Sequence, residues 1–390
     1  MTPCRLGIYM KKNTLIHYLG CLLLFFSSGA LAQSSQLQYE QTTPIAAQEY
    51  PDITLDQSKL VLISALDFER LRINLPKLYT EVYAKTGITI TLHSTFAEEV
   101  PPLIHFMQAT AQRPHAMIFA QDQLYSFSEM LLDLSDLERA EPSLTLAQQK
   151  NFLQLNQGFF LALYFNKKLI DNPASDFSMF AKNSLAVNFG TAFTTQLFWH
   201  HSGLIKRDGS INEHNLEGAL TNALFMYQEF FTQSIIPASC STNTCINALF
   251  LNQNIPYAID GTWMHETFTD ALGDNLGFSI LPELDNVPSL ALRIPHVLGV
   301  LSELSPEQTK ALALFSRLII QESTAFQNGL LANTKQTIAL DKISYVVKDY
   351  QVLGCIFEKL NPHMAQLNTL ATKKQIQALV KNMAIGKCYE

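Results

Sequence analysis

Basic clusters are missing from this chain. Its 27 Lys and Arg residues are outnumbered by 34 Asp and Glu, for a net charge of −7 at pH 7. That balance argues against nucleic acid or an anionic membrane surface as partner. No internal repeat is visible, and no low-complexity tract lies beyond a polar leader over residues 33–56. Catalytic signatures are scarce too. There is no G-x-S-x-G elbow, and "HETFT" at 265–269 lacks the second histidine of a zinc-protease motif. His200 and His201 are adjacent and cannot place both rings on one helical face. The late cysteines have neither C-x-x-C spacing nor a nearby histidine, which weighs against a zinc site.

The N-terminus carries a recognisable pattern. Lys11 and Lys12 precede the apolar run Leu19–Phe26, and small residues then lead to Ala30-Leu31-Ala32. A charged n-region, an h-region and an A-x-A site predict a cleavable signal peptide over 1–32, with the mature chain beginning at Gln33. The run is shorter than the ~20 residues a transmembrane helix needs. Met10 makes a more ordinary start than Met1. Cys21 lies inside the apolar run and is a poor lipid-attachment residue, so the product is expected to be periplasmic and not a lipoprotein.

The remaining chain is long enough for two domains of ~100–200 residues each, and 47% apolar residues supply a sizeable core. Cys240, Cys245, Cys355 and Cys388 are an even set, which in an oxidising compartment predicts two disulfides. Three pairings are possible. The favoured one joins 240 to 245, closing the short polar loop "CSTNTC", and 355 to 388, tying the end of the last helix to the segment before it.

Periodicity predicts strands at Lys59–Leu66, 88–94 ("ITITLHS") and 116–120 ("AMIFA"). Between them lie helices carrying Leu71, Leu75, Leu78 and Val82, stopped by Gly87, and Val100, Leu103, Ile104, Met107 and Ala111. Such alternation means β-α-β units and a largely parallel sheet, with its ligand edge beyond the strands' carboxyl ends. The middle repeats the grammar. Strands are expected early in 159–171, at 184–189, in "IPYAIDG" and at 276–282, with a helix ending near Gly203. A long helix carries Leu216, Leu220, Leu224, Tyr227 and Phe231, and a short one lies near 246–252. Ser305, Pro306 and Gln308 form a helix start with a capping box, and Asn328-Gly329 is the expected stop. The last helix is expected over Lys373–Ala384.

Six segments, in order from Lys59 to about Thr337, resemble family 1 of the extracellular solute-binding proteins of ABC importers, the maltose- and maltodextrin-binding group. They are "KLVLISALDFERL", "AMIFAQDQLYSFSEMLLDL", "ALYFNKKLIDNPASDFSMF", "NALFLNQNIPYAIDGTW", "GFSILP" and "SPEQTKALALFSRLI". The resemblance implies an α/β, two-lobe periplasmic-binding-protein fold of type II. One lobe would be 57–157 with 297–341 and the other 160–292 with 350–390. Crossings would fall near Gln157–Phe160, Leu292–Val297 and Asp341–Val352, and the cleft would close on ligand by a hinge.

By the same resemblance, Trp263 sits where the family carries a sugar-stacking tryptophan. Asp67 and Asp122 match carboxylate positions, and Phe119, Phe159 and Phe193 match positions lining the cleft. The chain departs from the maltose pattern in several places. Phe159 and Thr191 stand for acids, Gln123 for an arginine, Phe68 for a lysine and Asn368 for a second tryptophan. Asp67, Phe68, Phe119, Asp122, Gln123, Phe159, Phe193 and Trp263 therefore make up the expected site, rich in aromatic faces and poor in polar handles.

The implied function is capture of a small ligand, a carbohydrate or oligosaccharide foremost, by a monomer that delivers it to an ABC permease in the inner membrane. No cofactor, metal or nucleic acid is called for. Two alternatives remain. One is a cationic ligand such as a polyamine, held by the aromatics with Asp67, Asp122, Asp260 and Glu266. The other is a transport-free sensory binding module. A glycosidase using an acid pair is disfavoured.

Overall fold

Alternation of side chains along the first strands assigns them to two different cores. The computed structural model describes residues 56–65, 68, 73–95, 99–109, 114–144, 151–188, 190–232, 243–252, 255–332, 344–370 and 372–389. Strands β1 (Lys59–Ser64), β2 (Thr89–Ser94) and β3 (Ala116–Ala120) lie parallel with β1 in the middle. Leu60, Leu62, Ala116 and Ile118 face one core, while Ile63, Met117 and Phe119 face the other, as a period of two requires. Helix α1 (Leu75–Thr86) begins at Asn74, whose Oδ1 accepts the Lys77 N–H. It ends on Gly87 at φ +72°, as expected of a glycine stop.

Helices α2 (Val100–Ala109), α3 (Leu124–Phe127) and α4 (Ser135–Ala140) follow, and then the short strand β4 (Leu153–Gln154). A late strand, β10 (His296–Val300), enters antiparallel between β3 and β4, giving the order β2-β1-β3-β10-β4. The long helix α8 (Pro306–Ala332) packs beside α1 over this sheet. Its predicted capping box is formed: the Ser305 N–H donates to Gln308 Oε1 at 2.9 Å, and the Gln308 N–H donates to Ser305 Oγ at 3.2 Å. The expected stop at Asn328-Gly329 is overridden, since the helix runs on to Ala332. Glycine inside a helix costs only about 1 kcal/mol. Gln327 holds this turn in place by accepting from the Gln157 N–H at 3.2 Å and donating to Gly158 O at 3.0 Å.

The second sheet, β6 (Leu185–Val187), β7 (Tyr257–Gly261), β5 (Leu161–Asn166) and β8 (Leu276–Ser279) in spatial order, corrects the expectation of a largely parallel arrangement. Only β6 and β7 are parallel; β5 runs against both β7 and β8. Every residue of β5 is buried. Its apolar run reported burial on both faces, which fixes neither direction nor neighbours. The segment Ala192–Phe198 is a 3₁₀ helix rather than an α-helix, and Trp199 behind it is fully buried with Nε1 donating to Thr195 Oγ1 at 3.0 Å. Helices α5 (Leu216–Thr232), α6 (Asn243–Leu251) and α7 (His265–Leu272) belong to this part of the chain.

Among the described residues, the segments that connect the two sheets pair with one another. Phe159 and Ile294 exchange backbone hydrogen bonds of 3.1 and 2.9 Å. Strand β9 (Ala291–Arg293) lies parallel to β11 (Ser344–Val346). Asn156 Oδ1 accepts from both the Gly158 N–H and the His296 N–H, at 3.0 Å each. Gly158, at φ +94°, presses against Ile294 and Pro295 so closely that an added Cβ would sit 2.9 Å from their backbone.

Helices α9 (Tyr350–Leu360), α10 (Met364–Leu367) and α11 (Lys373–Asn382) end the chain. Thr372 and Gln375 form a capping box for α11. Cys355 on α9 is bonded to Cys388, the second of the favoured pairings. Cys240 lies outside the described residues, and with it the 240–245 pairing. Both cores lie within one compact unit, Thr54–Glu390.

Candidate ligand-binding site

The turn after β7 is built around a close approach. Gly261 has ordinary extended backbone, yet a Cβ there would lie 2.2 Å from the Trp263 ring. Glycine is required because the indole folds back over the strand's last residue. This places Trp263 between the two cores, half-buried and packed against both. Its ring centroid lies 6.4 Å from Phe159 on the first connecting segment and 5.5 Å from Phe193 in the 3₁₀ helix. Phe159 also meets His296 edge-on at 5.2 Å, and Phe193 meets Phe357 of α9 at 6.2 Å. Five aromatic rings from five separate segments thus converge where the sheets adjoin.

Three expected site residues, Phe159, Phe193 and Trp263, are brought together here. Phe159 is itself 3% exposed, so Trp263 and Phe193 present the open faces. Phe68 and Phe119 do not join them. Phe68 lies in the core beneath α1 and α8, and Phe119 is fully buried, edge-on to Phe127 at 5.3 Å. Neither has a face left for a guest. Asp67 lies outside the described residues.

Gln123 is half-buried and turns its Oε1 back to accept the Ala120 N–H at 3.2 Å, capping the turn after β3. Asp122 occupies that same turn beneath α9. Its Oδ1 has neither solvent access nor a hydrogen-bond partner among the described residues. Burial raises its carboxyl to about 6, against only the backbone N–H groups of Asp122 and Gln123 to steady the charge. Asp260 belongs to the interior of the second sheet, where its Oδ1 accepts the Gly261 N–H at 2.7 Å.

His296, Gly354 and Phe357 are absent from the sequence-based set. His296 is kept neutral by desolvation, which lowers its pKa to about 4, and its Nδ1 faces Asn156 Nδ2 at 3.4 Å. Phe357 had a usable signal: Val352, Leu353, Ile356, Phe357 and Leu360 follow the cap Asp349 at helical spacing. Among the described residues no group of three or more His, Cys, Asp or Glu side chains is placed to hold a metal ion.

The arrangement offers ring faces for flat apolar surfaces and few polar groups around them, at the seam of two α/β layers. No protein-family model matches the chain, and no curated protein does. Among solved structures it is similar to a cyclo/maltodextrin-binding protein complexed with maltotetraose, with a TM-score of 0.60 over 84% of this chain and 96% of that one, at 16% sequence identity. The chain therefore has the two-lobe α/β fold of that binding protein, mixed sheets flanked by helices.

Proposed function

We propose that this chain is a periplasmic solute-binding receptor that captures a small carbohydrate in the groove between its sheets and hands it to an ABC permease. The observation that carries the reading is the convergence of Trp263, Phe193 and Phe159 at the junction, in a fold whose solved relative holds maltotetraose. Aromatic faces at a seam suit the apolar faces of sugar rings. The lobes are read as 57–157 with 297–341 and 160–292 with 350–390. The hinge is read as the paired connecting segments, with closure a population shift toward the state in which ligand touches both walls. Export by the signal at 1–32 belongs to the same reading, as does the absence of catalysis. The similar solved protein is a binding protein.

Calorimetric titration with maltotetraose and shorter maltodextrins, alongside spermidine, tests the assignment. Saturable heat with an oligosaccharide supports it. Heat with spermidine alone would move the ligand to the cationic class, and heat with neither would leave a sensory module.

A further inference from the structure

Helix α9 seats directly on the turn at the carboxyl end of β3. The seat is Gly354. A Cβ there would lie 2.0 Å from the Asp122 carbonyl oxygen and 3.0 Å from the Tyr125 Cβ, so only glycine permits the contact. On either side α9 is fixed to the other layer. Tyr350 donates its hydroxyl to Arg293 O at 2.9 Å, Cys355 is bonded to Cys388, and Phe357 packs at a tilt against Phe193 and Trp199. Beneath the seat, Asp122 is half-buried as a residue, but its Oδ1 is sealed from water and its carboxyl is steadied only by the backbone N–H groups of its own turn. A carboxylate in that position is costly unless it is neutralised.

We propose that α9 is the element that closes the groove, and that seating Gly354 on the turn 121–123 takes up one proton from solvent at the Asp122 carboxylate. The proposal rests on the two-lobe receptor reading. Opening would lift α9 away and return the carboxyl to water, where it ionises normally; closing converts carboxylate to carboxylic acid. Acid therefore favours the closed form.

The ionisable groups around Asp122 do not compete in the relevant range. Tyr350 on α9 and Tyr345 on β11 are held above their ordinary value, chiefly by burial. Arg293 on β9 is a guanidinium, a group that does not lose its proton in proteins, and Tyr125 on α3 is exposed. His296 on β10, paired with Ala120, titrates only near pH 4. With Asp122 raised from 3.8 to about 6, moving from pH 7.5 to pH 5 shifts the closed-to-open ratio by about tenfold toward closed.

Small-angle scattering of the unliganded protein at pH 7.5 and pH 5 tests this, with Asp122→Asn and Gly354→Ala alongside and circular dichroism to confirm folding. The wild type is expected to become more compact at pH 5. Asp122→Asn is expected to be compact at both pH values, and Gly354→Ala expanded at both. A wild-type profile that ignores pH and coincides with that of Asp122→Asn overturns the proposal, as does a Gly354→Ala protein as compact as wild type. Should Gly354→Ala fail to fold, the Asp122→Asn comparison decides alone, because that variant leaves the seat intact. Maltotetraose heat measured in parallel separates the two ideas. Binding with pH-independent scattering removes only the proton-linked closure, whereas pH-dependent compaction with no binding of maltotetraose or spermidine removes the ligand assignment and leaves the proton-linked closure of the two-lobe fold.

Discussion

At the scale of single residues, Trp263 carries two loads. Under the proposed function it offers a face to the ligand, and in the fold it touches both cores. These separate experimentally. Trp263→Ala is expected to weaken maltotetraose binding by about 1–3 kcal/mol and to lower the melting temperature as well, whereas Trp263→Phe keeps part of both. Unchanged calorimetric affinity in Trp263→Ala would place the indole outside the binding surface. Gly261 is bound to the same story. A methyl group there meets ring carbons 2.2 to 2.3 Å away, so Gly261→Ala displaces the indole. It is expected to destabilise by about 1–3 kcal/mol, the usual cost of overpacking, read as a shifted urea midpoint. The sequence disclosed the juxtaposition of glycine and tryptophan. It did not disclose that the glycine serves a close approach rather than a left-handed turn, since both uses write the same letter.

At the scale of elements, local chemistry predicted best where the chain decides for itself. Gly87 ended α1, Ser305 and Gln308 began α8, and "AMIFA" is β3 residue for residue. What stayed hidden depends on partners far along the chain. Strand β10 enters the first sheet from residue 296, and Gln327 holds α8 through Asn328-Gly329 by bonding to residues 157 and 158. No window of a dozen residues contains both ends of such a contact. The same limit explains Phe119, which lies at the right end of its strand but on the face that turns inward against Phe127.

The disulfide gives this scale its prediction. Cys355 and Cys388 are separated by 33 residues and fasten α9 to the C-terminal 3₁₀ turn. By loop-closure entropy, Cys388→Ser is expected to cost about 3–4 kcal/mol. Thermal unfolding with and without reductant checks it. In a Cys240→Ser/Cys245→Ser background, the Cys388→Ser variant should melt at one temperature in both conditions, and the protein that keeps Cys355–Cys388 should fall to meet it on reduction.

For the molecule as a whole, acid response is the sum of buried groups whose effects have opposite sign. His296 is lowered to about 4 from 6.5 in the folded state, so between those values the unfolded chain binds the extra proton, and stability falls as pH drops. His115 and His201 are lowered in the same direction by burial, His201 also by the neighbouring His200. Asp122 works the other way. Its folded value of about 6 exceeds the ordinary 3.8, so the folded chain binds the proton first, and stability rises as pH falls through that window. The histidines act first, from about pH 6.5 downward, and Asp122 then offsets part of their loss, by about 1 kcal/mol at pH 5. Removing Asp122 should therefore do two things at once. Asp122→Asn is expected to be more stable than wild type at pH 7.5, because a buried charge is gone, and to lose stability more steeply between pH 7 and pH 5, because the compensating proton is gone with it. Melting temperatures of the two proteins plotted against pH should converge toward the acid side. Parallel curves would mean that the Asp122 carboxyl is as well solvated in the folded chain as in the unfolded one, and that α9 does not cover it in solution.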